Sequence, residues 1–499
     1  MYFDQAIQGV GSDAPYQDIA LSFVDGGWSN HDQCAGAELT LFDPSDQKPF
    51  ARIGCARQKD VDLAVEAACR AYANPGNAWP AQKRADAIDR LAAAILQRKE
   101  RFAHQIAMEI GAPIDTAREA HVMRALDYCV ATRTALIEAE AAPPLSYGSG
   151  NYVIYEPAGV AALITPWNWP LNQMVNKVVA AWAAGCSVVL KPSERVPLTA
   201  LTFAECVAEA GIPDGMVNIL IGDGETSEAL VNHPDIDVIS FTGSTRVGRR
   251  VAQSAAQFLR PITLELGGKS ACIVFPDASI EDAAEAAIAS CFRNSGQSCN
   301  ASSRLLVHRS IYPDMLKALQ QGADAIELGS AHNPGSHLGP VASAADKHRI
   351  EALIAHSLQE GAKPVAGFGE SKNTKSAGNF VRPTVLADVT PDMQVFRNEV
   401  FGPVMAVTPF DTEAEAIALA NDSEYGLSAY IHTADPARAT RLANLLDAGM
   451  VEVNGCARAG GAPFGGRKQS GIGNEGGLWG IRSFQLTKSV SSPLSEGVL

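Results

Sequence analysis

Residues 161–194 read AALITPWNWPLNQMVNKVVAAWAAGCSVVLKPSE. An apolar run, AALIT, stops at a cluster of prolines and tryptophans; a helix starts after Pro170, and a second β-branched run, SVVLKP, follows the break at Gly185. The stretch is strand, crossover helix, strand. The same unit recurs from Gly159 to Gly268: a helix from Leu198 to Ala210, MVNILIG, a short helix, VISFTGS, a helix from Arg246, and TLELGG. Short apolar strands alternating with amphipathic helices predict an α/β, doubly wound parallel sheet covered on both faces. Such sheets take ligands beyond the carboxyl ends of their strands. Residues able to do chemistry fall at those ends: Asn168 after AALIT, Lys191 and Glu194 after SVVL, Gly224 after NILI, Gly243 and Ser244 after VISF, and Glu265 at the end of ITLEL.

A second series follows Gly268, with ACIVF, RLLVH, VMAVTPF and YGLSAYIH as strands of a second parallel sheet. Between the first two lies a helix with Ser279 as its cap and Glu281 and Asp282 in its first turn, where carboxylates suit the positive end of the dipole. Ala284, Ala287, Ile288 and Cys291 form its buried stripe. The periodicity ends in FRNSGQSCN, residues 292–300, whose side chains form turns. Cys299 therefore lies on a loop, poised as a nucleophile, although most free cysteines are merely small buried hydrophobes. GSTRVG, with Gly243 and Gly248, is no GxGxxG fingerprint, but it opens a helix N-terminus suited to a pyrophosphate. In NEVFGPV, Glu399 and Phe401 sit on a loop before a strand, where a lone glutamate is usually solvated.

The flanks carry less chemistry. About twenty N-terminal residues read as a loosely held extension, and LSFVDGGW as a strand closed by a hairpin turn at Asp25, Gly26 and Gly27. Alanine-rich helices run from Asp60, with Ile88, Leu91, Ala92 and Ile95 on one face; His104 and His121 read as surface or packing residues. AAPPLSYGSGNYVIYEP forms an extended arm. The tail SFQLTKSV alternates like a strand with no partner in its own domain, which suggests exchange with another subunit. A chain of 499 residues with 46% hydrophobic and 19% charged residues has room for two or three packed domains. Its net charge of -15 disfavours nucleic acid or an anionic membrane as the main partner and leaves a small molecule. The ten cysteines and ten histidines form no CxxC pair or metal-ligand cluster, so reduced thiols and no metal are expected. Without a signal-like N-terminus or an apolar run long enough to cross a membrane, the chain reads as a cytoplasmic protein.

PWNWP at 166–170, KPSE at 191–194, FTGS at 241–244, LELGGKS at 264–270, GQSC at 296–299, NEVFGP at 398–403 and PFGGRKQSG at 463–471 together resemble the ordered signatures of the NAD(P)-dependent aldehyde dehydrogenase superfamily. The resemblance runs from about Leu21 to Val490. It implies a Rossmann-like NAD-binding domain (21–136 and 156–264), a catalytic domain (265–463) and an oligomerisation arm (137–155 and 480–499) after a 1–20 extension. A homotetramer or homodimer is implied with it.

The resemblance also assigns roles. Cys299 matches the nucleophile that adds to the aldehyde carbon, with Asn168 and the Cys299 backbone N–H as oxyanion donors. Hydride then passes to the nicotinamide. Glu265 matches the base that activates water against the thioester, and Lys177 with Glu475 a proton relay or, equally, a structural ion pair. Lys191, Ser193 and Glu194 match the adenosine ribose site; Thr165, Pro166, Trp167, Gly224, Gly243, Ser244 and Leu266 surround the rest of the dinucleotide, with Glu399 and Phe401 at the nicotinamide ribose. Glu194 implies NAD in preference to NADP, since a carboxylate bonds a hydroxyl but repels a phosphate. Arg467 and Asn474 depart from common usage. The access tunnel would be lined by Trp169, Gln173, Asn176, Ser298, Asn300 and Arg458, mostly polar, implying a polar and even acidic aldehyde. Two further readings remain on this fold: a coenzyme A-acylating enzyme, disfavoured by the presence of Glu265, and a non-catalytic structural protein of crystallin type.

Overall fold

A computed structural model describes residues 17–30, 38–143, 145–148, 150–368 and 377–492. Its first sheet has eight strands, ordered Gly471–Ile472, Ile262–Glu265, Val238–Thr242, Val160–Ile164, Ser187–Lys191, Val217–Ile219, Leu21–Val24 and Gly27–Asn30. From Ile262–Glu265 to Val217–Ile219 all neighbours are parallel. The chain runs outward from Val160–Ile164 in one direction, then returns to start again on its other side at Val238–Thr242. That reversal opens a crevice beyond the carboxyl ends of these two strands.

The alternation of a strand distributes its side chains to two cores. Ala161 and Leu163 pack with the Ala81–Gln97, Pro170–Ala184 and Pro197–Glu209 helices, while Val160, Ala162 and Ile164 pack with Gln58–Ala73 and Thr245–Gln257. Both faces are covered, so all five positions are apolar; each buried Leu or Ile contributes about 1.5–3 kcal/mol. The second sheet has seven strands, ordered Lys363–Ala366, Thr384–Ala387, Val404–Phe410, Arg304–His308, Ala271–Val274, Ser428–His432 and Met450–Val453, with its first pair antiparallel and the rest parallel. Only residues 266–270 separate the two sheets along the chain at Glu265.

Three expectations change. The segment Gln17–Ile19 is not loose: it pairs in parallel with Pro49–Gly54, and Ile19 is buried in the core. Residues 1–16 lie outside the described part. The hairpin turn is the two-residue pair Asp25 and Gly26, both at positive φ, with Val24 paired to Gly27. The tail strand, Gln485–Ser491, has its partner within the same chain, lying antiparallel to Asn151–Pro157 of the arm in a three-stranded sheet. The two strands fall mostly within the segments 137–155 and 480–499 that the resemblance assigns to one arm; the alternation of the tail alone could not show it, since more than three hundred residues separate them. No helix among the described residues is long and apolar enough to cross a membrane.

Candidate active site

Ser279 caps the Ile280–Phe292 helix, accepting from Asp282 N at 3.3 Å, and the chain then turns sharply through Asn294 and Ser295, both left-handed at φ 54 and 56. Buried hydrogen bonds hold this unusual turn. Asn294 Nδ2 donates to the Asn168 carbonyl at 2.7 Å, Ser295 Oγ to the Gly339 carbonyl at 2.8 Å, and Asn168 Nδ2 to the Gln297 carbonyl at 2.8 Å. Asn168 and the Cys299 loop are thereby locked to each other from two different sheets. Gly268 admits the loop: a Cβ there would stand 2.1 Å from the Cys299 carbonyl oxygen. Burial, then Glu399 and Glu265, push the Cys299 thiol well above its ordinary range, so at rest it keeps its proton.

Glu265 is 1% exposed, and neither of its carboxylate oxygens has a hydrogen-bond partner among the described residues. Burial first, and the charge of Glu475 second, hold its proton affinity well above the usual carboxylate range. Glu475 stands beside it in a buried cluster, where Lys177 Nζ donates both to Glu475 Oε1 and to Ser240 Oγ, the latter at 2.7 Å. Asn176 Nδ2 donates to Glu475 Oε2 at 2.9 Å. This corrects the expectation that Asn176 lines the access tunnel: its amide is spent on Glu475, on the inner side of the helix.

The predicted cofactor residues meet in the crevice. Lys191, 3% exposed, approaches Glu194 Oε2 at 3.5 Å, with Ser193 Oγ also 3.5 Å from that oxygen. Gly224 begins a helix capped by Asp223, which is paired with Arg57 at 2.9 Å; the buried Cys55 thiol feels Asp223, Arg57, Lys191 and Glu194 together. Gly243 N donates to the Glu265 carbonyl at 3.0 Å, and Ser244 caps the 13-residue Thr245–Gln257 helix. The Leu266 N–H bonds the Ser470 carbonyl at 2.8 Å. Thr165, followed by Pro166, has a buried hydroxyl without a partner, as does Thr242. Trp167 meets Phe401 edge-on at 5.6 Å, and Glu399 accepts from Gly268 N at 3.1 Å, its carboxyl raised to about 7 by burial. A helix N-terminus with two orphaned hydroxyls and a lysine–glutamate pair at neighbouring strand ends fits a dinucleotide.

On the other side of Cys299 lies a cavity of about 680 Å³ lined by Trp169, Gln173, Ser298, Asn300 and Arg458, all expected, and by Tyr128, Glu452 and Phe464, which were not. Trp169 Nε1 donates to Ser298 Oγ at 2.9 Å. His121 stacks on the Trp169 ring at 4.2 Å, fully buried and pushed down to about 3 by burial, a packing residue as expected. Arg458 donates to the Ala459 and Ala462 carbonyls and, at 3.3 Å, to Tyr128 Oη, and makes no ion pair with a carboxylate among the described residues. Asn294, Gln297 and Ser240 also escaped the sequence reading. The polar turn at 294–298 was a signal for the first two; nothing local marks a serine inside an apolar strand.

The family model for the aldehyde dehydrogenase family matches residues 28–490. A chloroplastic betaine aldehyde dehydrogenase from Amaranthus hypochondriacus is 39% identical over 484 residues, covering 95% of this chain and 96% of that protein. The crystal structure of an aldehyde dehydrogenase from Bartonella henselae matches with a TM-score of 0.91 at 40% identity, over 95% of this chain and 99% of that one. A mutant of aldehyde dehydrogenase C from Pseudomonas syringae, complexed with NAD+ and octanal, matches at 0.90 and 40% identity, over 94% and 96%. The chain belongs to the aldehyde dehydrogenase family.

Proposed function

We propose that the chain oxidises a polar aldehyde to the carboxylic acid through Cys299, with NAD+ as the preferred acceptor. The observation that carries this reading is that Cys299 lies within electrostatic reach of Glu265, a buried carboxyl whose oxygens have no hydrogen-bond partner among the described residues. The Cys299 thiol gives up its proton to solvent water in the adjoining cavity as its sulfur bonds the aldehyde carbon and the carbonyl pair moves onto oxygen. Negative charge then grows on the aldehyde oxygen, where Asn168 Nδ2 and the Cys299 N–H are the available donors; losing one such donor costs ~2.7–4 kcal/mol. NAD+, when bound, supplies the hydride acceptor that converts the thiohemiacetal to a thioester. Glu265 takes a proton from water as the water oxygen bonds the acyl carbon; the carbon–sulfur bond breaks, and the Cys299 thiolate leaves. A raised proton affinity suits Glu265 to that task near neutral pH. Lys191, Ser193 and Glu194 would hold the adenosine ribose, and the N-terminus capped by Ser244 the pyrophosphate.

Arg458, Arg124 and Arg293 face the cavity against Glu119, Asp127 and Glu452. Glu119 and Asp127 are each engaged with a cation, at 2.8 Å from Lys99 and 3.6 Å from Arg124, and burial raises Glu452. That balance favours an aldehyde with an anionic far end, seated by the planar fork of Arg458. A cationic aldehyde is the second reading, favoured by the betaine aldehyde named for the Amaranthus relative and by Glu452, Tyr128 and Phe464 in the same cavity. Steady-state kinetics with succinic semialdehyde, 4-aminobutanal and butanal decide between them. Arg458→Leu is expected to raise KM for the acidic aldehyde about tenfold, equivalent to ~1.4 kcal/mol, leaving butanal unchanged. A higher kcat/KM for the aminoaldehyde in the native enzyme selects the second reading.

Homo-oligomerisation is part of this proposal: the Gln485–Ser491 strand is an open edge of the arm sheet, and Tyr147, Trp479 and Leu486 are exposed near it. A reducing compartment such as the cytoplasm suits the free cysteines, none of the described ones being disulfide-bonded.

A further inference from the structure

Glu475 is gripped from two successive residues of one helix. Lys177 holds Oε1 and Asn176 Nδ2 holds Oε2 at 2.9 Å, all three side chains buried, while Ser240 Oγ lies 3.5 Å from Oε1. Asn176, Lys177, Ser240 and Glu475 line one small internal cavity with Thr263 and Asn474. Asn176 Oδ1 is buried without a partner, so the amide takes its orientation from Glu475. The backbone of Glu475 is fixed as well, exchanging hydrogen bonds with Phe464 at 2.7 and 2.8 Å. With the backbone pinned and Oε1 placed on Lys177 and near Ser240, the Asn176 amide is what fixes Oε2.

We propose that Asn176 is a positioning residue for thioester hydrolysis: by fixing the second oxygen of Glu475 it sets where that negative charge stands relative to Glu265. The proposal rests on Glu265 being the base. Groups facing Glu265 are Glu475, Lys177, Arg458 and Cys299; of these Glu475 raises its proton affinity, while Lys177 and Arg458 lower it. Releasing Glu475 Oε2 frees the carboxylate to leave its fixed place beside Glu265 while Oε1 stays on Lys177, which weakens the first effect. An asparagine at this place acts through a hydrogen bond, so a side chain of equal size without a donor removes the function while filling the space.

The test is the pH profile of kcat for deacylation in Asn176→Leu, Glu475→Gln and the double variant, with the stoichiometric NADH burst followed by rapid mixing. The acid limb is expected to move to lower pH in Asn176→Leu, by about half a unit, a threefold change in the Glu265 proton equilibrium. The double variant is expected to match Glu475→Gln alone, and the burst rate to stay native, since hydride transfer precedes the step concerned. Additive shifts in the double variant, or a native acid limb with only KM altered, overturn the proposal and return Asn176 to the tunnel wall. If Asn176→Leu does not fold, Asn176→Ala carries the same comparison. Failure of the underlying base assignment is separate: it shows as normal turnover in Glu265→Gln, whereas a burst without turnover there, beside a native profile in Asn176→Leu, removes Asn176 alone.

Discussion

The Cys299 carbonyl oxygen fills the place where a side chain on Gly268 would begin: an added Cβ on Gly268 would stand 2.1 Å from it. No side chain can occupy that place unless the loop retreats. Gly268→Ala is expected to preserve folding and to lower kcat/KM at least tenfold by displacing the thiol, which circular dichroism and NADH formation at 340 nm together check.

Cys299→Ala is expected to abolish aldehyde oxidation while NAD+ binding, followed by fluorescence quenching, is kept. Turnover in that variant rules out the cysteine mechanism.

Glu265→Gln cannot take a proton from water. Rapid mixing is expected to give a burst near one NADH per site followed by arrest, and kcat in the native enzyme to rise with pH as the raised Glu265 carboxyl ionises.

Replacing Glu194 with Gln, which keeps a hydrogen-bonding end and loses the charge, is expected to raise kcat/KM for NADP+ about tenfold or more relative to NAD+. An unchanged ratio removes Glu194 from coenzyme choice.

Glu109 is buried and accepts from Leu198 N at 2.6 Å and Thr199 Oγ1 at 2.5 Å, yet burial raises it from 4.5 to about 8. The folded chain therefore binds a proton that the unfolded chain releases, and stability is lost as pH climbs from about 4.5 through about 8. The Tm of Glu109→Gln minus that of the native protein is expected to grow more positive from pH 5 to pH 8; a flat difference contradicts it.

Much of this architecture is written locally. The strand ends that present Asn168, Lys191, Gly243 and Glu265 follow from apolar runs that stop, and the Ser279 cap from a serine before two acids. What stayed hidden depends on distant partners. The Asn176 amide points to Glu475, 299 residues away in sequence, while helical spacing puts it equally well beside Trp169 and Gln173. Lys177 finds Ser240 inside an apolar strand, and the Gln485–Ser491 strand finds the arm across most of the chain. The left-handed backbone of Asn294 suits an asparagine, but that of Ser295 beside it goes against the preference of a serine and is held by its bond to Gly339 and by the bond of Asn294 to Asn168.

The Gly471–Ile472 strand, laid antiparallel on Ile262–Glu265 after the chain has completed the second sheet, has a mechanical consequence. It forms the edge of the first sheet next to Glu265, with the Leu266 N–H bonded to the Ser470 carbonyl at 2.8 Å. The two sheets are thus tied beside Glu265 by two crossings of one chain, residues 266–270 on the way out and 470–472 on the return, with Ser470 Oγ donating to the Gly267 carbonyl at 2.7 Å, so rotating one sheet against the other would have to deform both ties at once.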